Sequence, residues 1–201
     1  MPRPPAPTRD KILDAANRLF YGKGIRAVSL DAVAAKAGVT KKTLYYHFRS
    51  KDDLIAAYLA SRDQPNLAAF AKWFEEADGS LGDKVQALFV QIAKSARSPK
   101  WKGCGFLRTA AELAELPGHP AVKVGAAHKK KFEGWLAERI ASVHPQDAAL
   151  CARQVVLLMD GAFAIMLIHR DPTYIEAAGL AARALVDGCR PHSGETRTAP
   201  S

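Results

Sequence analysis

SLDAVAAKAGVTKKTLYYHF, residues 29–48, is the stretch that decides the fold. Leu30, Val33 and Ala34 fall on one side of a short helix that Ser29 is placed to cap. A second helix, capped by Thr40, repeats the pattern with Leu44 and Phe48. Between them Gly38 follows Ala37 and precedes Val39, where a tight turn needs a residue without Cβ. Upstream, Ile12, Leu13, Ala16, Leu19 and Phe20 line one face of a first helix, with Thr8 as its cap and Gly22 and Gly24 at its end. Packed through Leu19, Phe20, Leu30, Val33, Ala34, Val39, Leu44 and Phe48, these helices have the spacing of a helix-turn-helix. Turning those residues inward leaves Thr40, Lys41, Lys42, Thr43, Tyr46 and His47 outside. Hydroxyls and aromatics reach phosphates and base edges, and lysines neutralise charge, so this face suits a duplex groove.

Charge points the same way. Residues 1–55 hold eleven Lys and Arg against five Asp, a net +6 of the chain's +9. A solvated basic face on an ordinary bundle would also carry such charge, and it is the turn plus the outer-face chemistry that favours DNA.

The rest of the 201 residues reads as helix, and the expected fold class is all-α. Hydrophobic residues make up 48%, with Ala and Leu abundant, and no strand-like alternation of useful length occurs. Ser50 with Asp53 opens a fourth helix in a capping-box-like arrangement. It resumes through Phe70, Trp73 and Phe74, with a kink or break expected near residues 62–64 because Pro65 lacks an N–H and crowds the preceding turn. Later helices are expected at 81–97, 105–115, 119–142, 146–170 and 172–189, giving about nine in total. Residues 1–50 are read as an N-terminal arm plus the reading head, 51–190 as a larger helical domain, and 191–201 as a disordered tail.

Three widely spaced cysteines, Cys104, Cys151 and Cys189, argue against a disulfide framework and for a reducing compartment. The opening MPRPPAP is no signal sequence, and the longest apolar run, residues 155–168, is broken by Asp160 and Gly161, short of the ~20 residues of a membrane span. A cytoplasmic protein without membrane contact is expected. No nucleophile elbow, P-loop or dinucleotide fingerprint occurs, and the histidines show no metal-ligand spacing, so neither an enzyme nor a metal or cofactor site is expected.

SLDAVAAKAGVTKKTLYYHFRSKDDL, preceded by ILDAANRLFYGKG, resembles the N-terminal signature of the TetR (tetracycline-repressor-like) family over about residues 8–58. The resemblance implies a one-component regulator, most often a repressor, whose dimer binds a palindromic operator and is released by a small ligand. By position it implies that Ser29 caps the second helix and contacts phosphate. Thr40, Lys41, Lys42 and Thr43 would front the recognition helix, Tyr45, Tyr46 and His47 would hold the backbone, and Lys51 would bind phosphate. Lys42 departs from the small residue or proline often found there, and Pro65 is unusual in a helix that is generally continuous. The competing reading is a nonspecific or architectural DNA-binding protein without a ligand.

The C-terminal half carries large apolar side chains: Phe89, Ile92, Trp101, Phe106, Leu107, Trp135, Met159, Phe163 and Met166, joined by Phe70, Trp73 and Phe74 from the fourth helix. Core filling accounts for such residues by default; the resemblance implies that some line a pocket for a small, apolar effector. Cys104, flanked by Gly103 and Gly105, is either a sensor thiol at a helix N-terminus or an inert buried cysteine. Glu112, His128 and His169 are polar candidates for the same pocket, His128 foremost. The last two helices, about 146–170 and 172–189, read as a homodimer surface. The first is apolar on more than one face, and the second sets Gly179 and Ala181 beside an apolar stripe of Ile175, Ala178, Ala182, Leu185 and Val186.

Overall fold

A computed structural model describes residues 7–188, in which nine helices and no strand are present. The expected arm, the tail and Cys189 lie outside the described residues. Helices α1 (Thr8–Lys23), α2 (Leu30–Ala37) and α3 (Lys41–His47) form the head. Each turn is closed by the group the local chemistry calls for. Ser29 Oγ accepts the Ala32 N–H at 3.1 Å, and Thr40 Oγ1 accepts that of Thr43 at 3.1 Å. Gly38 sits in the left-handed region (φ 68°), its N–H returning to the carbonyls that end α2. Thr8 is not the cap of α1 but its first helical residue. Extended Pro7 precedes it, and the Pro7 carbonyl already accepts from Asp10 and Lys11.

Ile12, Phe20, Val33, Leu44 and Phe48 are buried together, with Leu19, Leu30 and Val39 half-buried at the edge. The same core takes in Leu54, Ile55, Tyr58 and Leu59 from the first half of α4 (Lys51–Glu75), and Phe106, Leu113 and Ala121 from later in the chain. The head is therefore packed onto the body through apolar side chains, not merely tethered to it.

The expected break at Pro65 does not occur: α4 is helical from Lys51 to Glu75. An interior proline costs about 3 kcal/mol, but this helix is anchored on both sides of it. Leu54 to Leu59 lie in the head core, while Phe70 and Phe74 pack into the body cluster. Pro65 itself is exposed. Ser50 Oγ caps α4 by accepting from Asp53 N–H at 3.0 Å. The complete reciprocal box lies elsewhere, at Ser80 and Asp83, opening α5 (Leu81–Ala96).

The body continues through α6 (Gly105–Glu112), α7 (Pro120–Ala141), α8 (Ala148–His169) and α9 (Thr173–Gly188). These match the expected ranges, except that α6 ends early, because Leu113 leaves helical geometry ahead of the Pro117-Gly118 turn. α5 lies along α9, α7 along α8, and α4 against α7. At 22 residues and a mean hydropathy of 1.7, α8 is by length and composition apolar enough to cross a membrane, more so than the run at 155–168 indicated. Its Val155, Met159, Phe163 and Met166 are instead buried in the body core.

Packing divides the small residues of α9. Gly179 faces α5, where a Cβ would come within 2.7 Å of Phe89 Cβ, so the glycine serves contact within the chain. Ile175, Ala182 and Val186 point the same way and are fully buried. The apolar groove left open on this helix pair keeps Ala178, Ala181 and Leu185 of the expected set and adds Leu157, 65% exposed, from α8.

Candidate DNA-reading face and ligand cavity

Burial of Leu44 and Phe48 fixes the rotation of α3 and hence what it presents. Lys41 and Lys42 are exposed, Thr43 and His47 are half-buried, and Tyr45 and Tyr46 are 45% and 85% exposed. The Tyr46 ring meets His47 edge-on, 5.2 Å between centroids. Ser29 and Thr40 spend an oxygen lone pair on capping. The exposed Ser29 keeps its O–H free to donate, whereas the Thr40 and Thr43 hydroxyls bond each other at 2.8 Å. Lys51, half-buried, is the first residue of α4. One contact has no local signal in the sequence: Lys41 Nζ lies 2.9 Å from Asp31 Oδ1 across the turn, and this carboxylate raises the lysine's pKa.

Behind the head, a cavity of about 230 Å³ opens between α4, α5, α6, α7 and α8. Of the fourteen expected pocket residues, nine line it. Phe70 and Trp73 come from α4, Ile92 from α5, Trp101 and Cys104 from the loop before α6, Phe106 from α6, His128 from α7, and Met159 and Phe163 from α8. Five do not. Phe74 and Trp135 meet edge-to-face, 5.2 Å between centroids, with Arg139 over both rings, and Phe89 is fully buried against Gly179. Leu107 and Met166 face other clefts. The differences have one cause: neighbouring helices, not side-chain type, decide which way each ring turns.

Sequence reasoning missed the polar part of the wall: Tyr21, Tyr58, Arg62, Asn66, Ser95 and Lys129. The i, i+4 spacing of Tyr58, Arg62 and Asn66 on one face of α4 was the available signal. His128 stacks flat on Phe106, 3.8 Å between centroids, and its Nδ1 lies 2.8 Å from Asp63 Oδ1. Burial lowers the His128 pKa despite that carboxylate. Burial alone would raise Asp63, yet its hydrogen bonds to Lys131 and His128 hold it below the usual range. Cys104 stands at the N-terminal boundary of α6 without a side-chain capping bond and is half-buried in the wall.

Glu112 is not a pocket residue. Its carboxylate accepts the Ile25 and Arg26 N–H groups at 3.2 and 3.0 Å, and its carbonyl accepts from Arg26 Nε at 2.9 Å. From the middle of α6, Arg108 donates to the Tyr21 carbonyl at 2.8 Å, and just ahead of the helix the Tyr21 hydroxyl bonds the backbone of Lys102 and Gly103. α6 thus joins the cavity wall to the α1–α2 link. His169 stacks on Tyr174, away from the cavity. Among the described residues no cluster of potential metal ligands occurs.

A helix-turn-helix head packed on a helical body with an internal aromatic cavity is the architecture of a transcription regulator. Residues 12–58 match the family described as bacterial regulatory proteins, tetR family. The HTH-type transcriptional regulator SrpR of Pseudomonas putida is 45% identical over 95 residues, 47% of this chain and 42% of SrpR. TtgW of the same species is 45% identical over 95 residues, 67% of its length. Over nearly the whole chain, a TetR-family transcriptional regulator from Streptomyces coelicolor superposes with a TM-score of 0.78 at 33% identity, covering 90% of this chain and 95% of that one. The chain belongs to the TetR family of transcriptional regulators. The match to SrpR spans less than half of that protein's length.

Proposed function

We propose that the protein is a cytoplasmic dimeric repressor that holds a palindromic operator and releases it when a small molecule fills the cavity. The carrying observation is the outer face of α3, where Tyr46 stands 85% exposed beside Lys41 and Lys42 on a helix locked by buried Leu44 and Phe48. A ring that exposed has no role in the fold; against a groove wall it would bury apolar surface, and the lysines would displace counterions.

Dimerisation through α8 and α9 is supported by an exposed apolar groove of about 580 Å³ lined by Leu157, Ile165, Tyr174 and Ala181. A two-fold axis there would set two α3 helices in successive major grooves, roughly 34–36 Å apart. Ligand control is supported by the chain of contacts from the cavity wall through α6 and Glu112 to the α1–α2 link. A ligand acts only by differential affinity for two states, typically about 1–3 kcal/mol.

The test is a gel shift at fixed salt with the chain's own upstream region against random duplex. Specific retardation, lost at least about tenfold in Lys42→Ala and Tyr46→Ala, is expected. Equal affinity for every duplex would instead favour a nonspecific binder.

A further inference from the structure

The cavity wall carries more information than its size. Tyr58 is 2% exposed and lines the cavity, yet among the described residues its hydroxyl has no hydrogen-bond partner. The oxygen is not sealed in the core but opens into the cavity, so its O–H is free to donate to a ligand acceptor there. Burial pushes the Tyr58 pKa up to about 12, which keeps the group a donor. One turn along the same face of α4, Arg62 also lines the cavity, and no carboxylate pairs with it. The only other lysine or arginine in the wall, Lys129, is bound to Asp160. The wall holds no acidic side chain.

A second cleft of about 320 Å³ shares Trp101 with the first. It is lined by Arg97, Lys102, Arg108 and Arg170, again with no acid among its residues. Lys102 and Arg108 donate to backbone carbonyls, which leaves their charge uncompensated, and only Arg97 has a carboxylate partner, Glu176. Positive charge on both sides of Trp101 concentrates anions at the wall.

We propose that the cavity takes a flat aromatic organic anion, its rings among Phe70, Trp73, Trp101 and Phe132 and its acid group held by the Tyr58 hydroxyl and the Arg62 guanidinium. This rests on the cavity being the effector site and replaces the apolar effector expected from the sequence with a charged one. Guanidinium and phenol donors make charge-assisted bonds to a carboxylate, about twice as strong as those to a neutral amide.

The probes are 2-naphthoate and the neutral 2-naphthamide, titrated into the full chain by tryptophan fluorescence and calorimetry. Naphthoate is expected to bind at least about tenfold tighter. Arg62→Met should bring the ratio close to one with little change for the amide. Tyr58→Phe should weaken naphthoate about tenfold without lowering Tm, because the removed hydroxyl leaves no partner behind. Equal or tighter binding of the amide, binding of neither probe, or a preference that survives Arg62→Met overturns the anion assignment. Ala69→Trp, or Ser95→Trp from the opposite wall, fills the cavity and separates this failure from that of the effector site. If a filled variant still binds both probes, the site lies elsewhere and both readings fall. If filling abolishes binding but the acid is not preferred, only the anion assignment falls.

Discussion

Lys41 enters the free protein already engaged, its ammonium 2.9 Å from Asp31 on the neighbouring helix. Both groups are exposed, so the pair contributes little to the fold, but it withholds one positive charge from the face presented to DNA. Asp31→Asn is therefore expected to tighten duplex binding several-fold and to steepen its salt dependence by about one unit of log–log slope. An unchanged slope in anisotropy titrations across a salt series would show that Lys41 does not contact phosphate. His128 gives a second expectation at this scale. Its pKa is lowered in the fold, chiefly by burial, so below the ordinary value of about 6.5 the unfolded chain takes up a proton that the folded one resists. Stability should be fully present above that value and fall as pH drops through it. The depressed Asp63 adds a further loss only as pH falls through the carboxylate range. Thermal melts of the wild type and His128→Gln, compared between neutral and mildly acidic pH, check this. The variant should show the smaller decline near pH 6 (about the histidine range).

At the scale of elements, α6 is the piece whose role is invisible without its neighbours. It is eight residues long, yet its Arg108 holds Tyr21 and its Glu112 holds Ile25 and Arg26 of the head, while Phe106 walls the cavity. Glu112→Ala removes two bonds from a carboxylate to backbone N–H groups, one half-buried and one exposed, so that water replaces part of both. Denaturant melts should show a loss of about 1–3 kcal/mol, and hydrogen exchange should speed at Ile25 and Arg26 while the α5 core stays protected. Protection unchanged at those amides would mean that α6 does not hold the link. The helices themselves were legible from the sequence, because Ser29, Gly38, Thr40 and Ser50 act within four residues of the backbone groups they satisfy. Continuity at Pro65 was not, since the packing of Leu59 and Phe70 on either side outweighs a local cost.

For the whole molecule the exposed faces matter most. Leu157 lies in the apolar groove between α8 and α9, beyond the residues that hold α9 to α5. Leu157→Arg should leave the monomer folded, since the side chain is 65% exposed, and shift the protein from dimer to monomer in light scattering. Operator affinity should fall with it, because two linked heads bind far more tightly than one. A dimer that persists in this variant would place the interface elsewhere.

Periodicity and capping are local properties, and from them follow the nine helices of the described residues, the turn at Gly38, most of the buried set of the head and the face of α3. The sequence also carried the family, through the run around residues 29–54. Which aromatics line a cavity and which fill a core depends on how the helices pack. Phe89 and Phe163 are alike as sequence, yet one meets Gly179 and the other faces open space. The same holds for the pairing of Lys41 with Asp31, of Glu112 with the head, and for the unpartnered hydroxyl of Tyr58. These depend on how distant helices are rotated against one another, and that rotation is set by the summed packing of the whole chain.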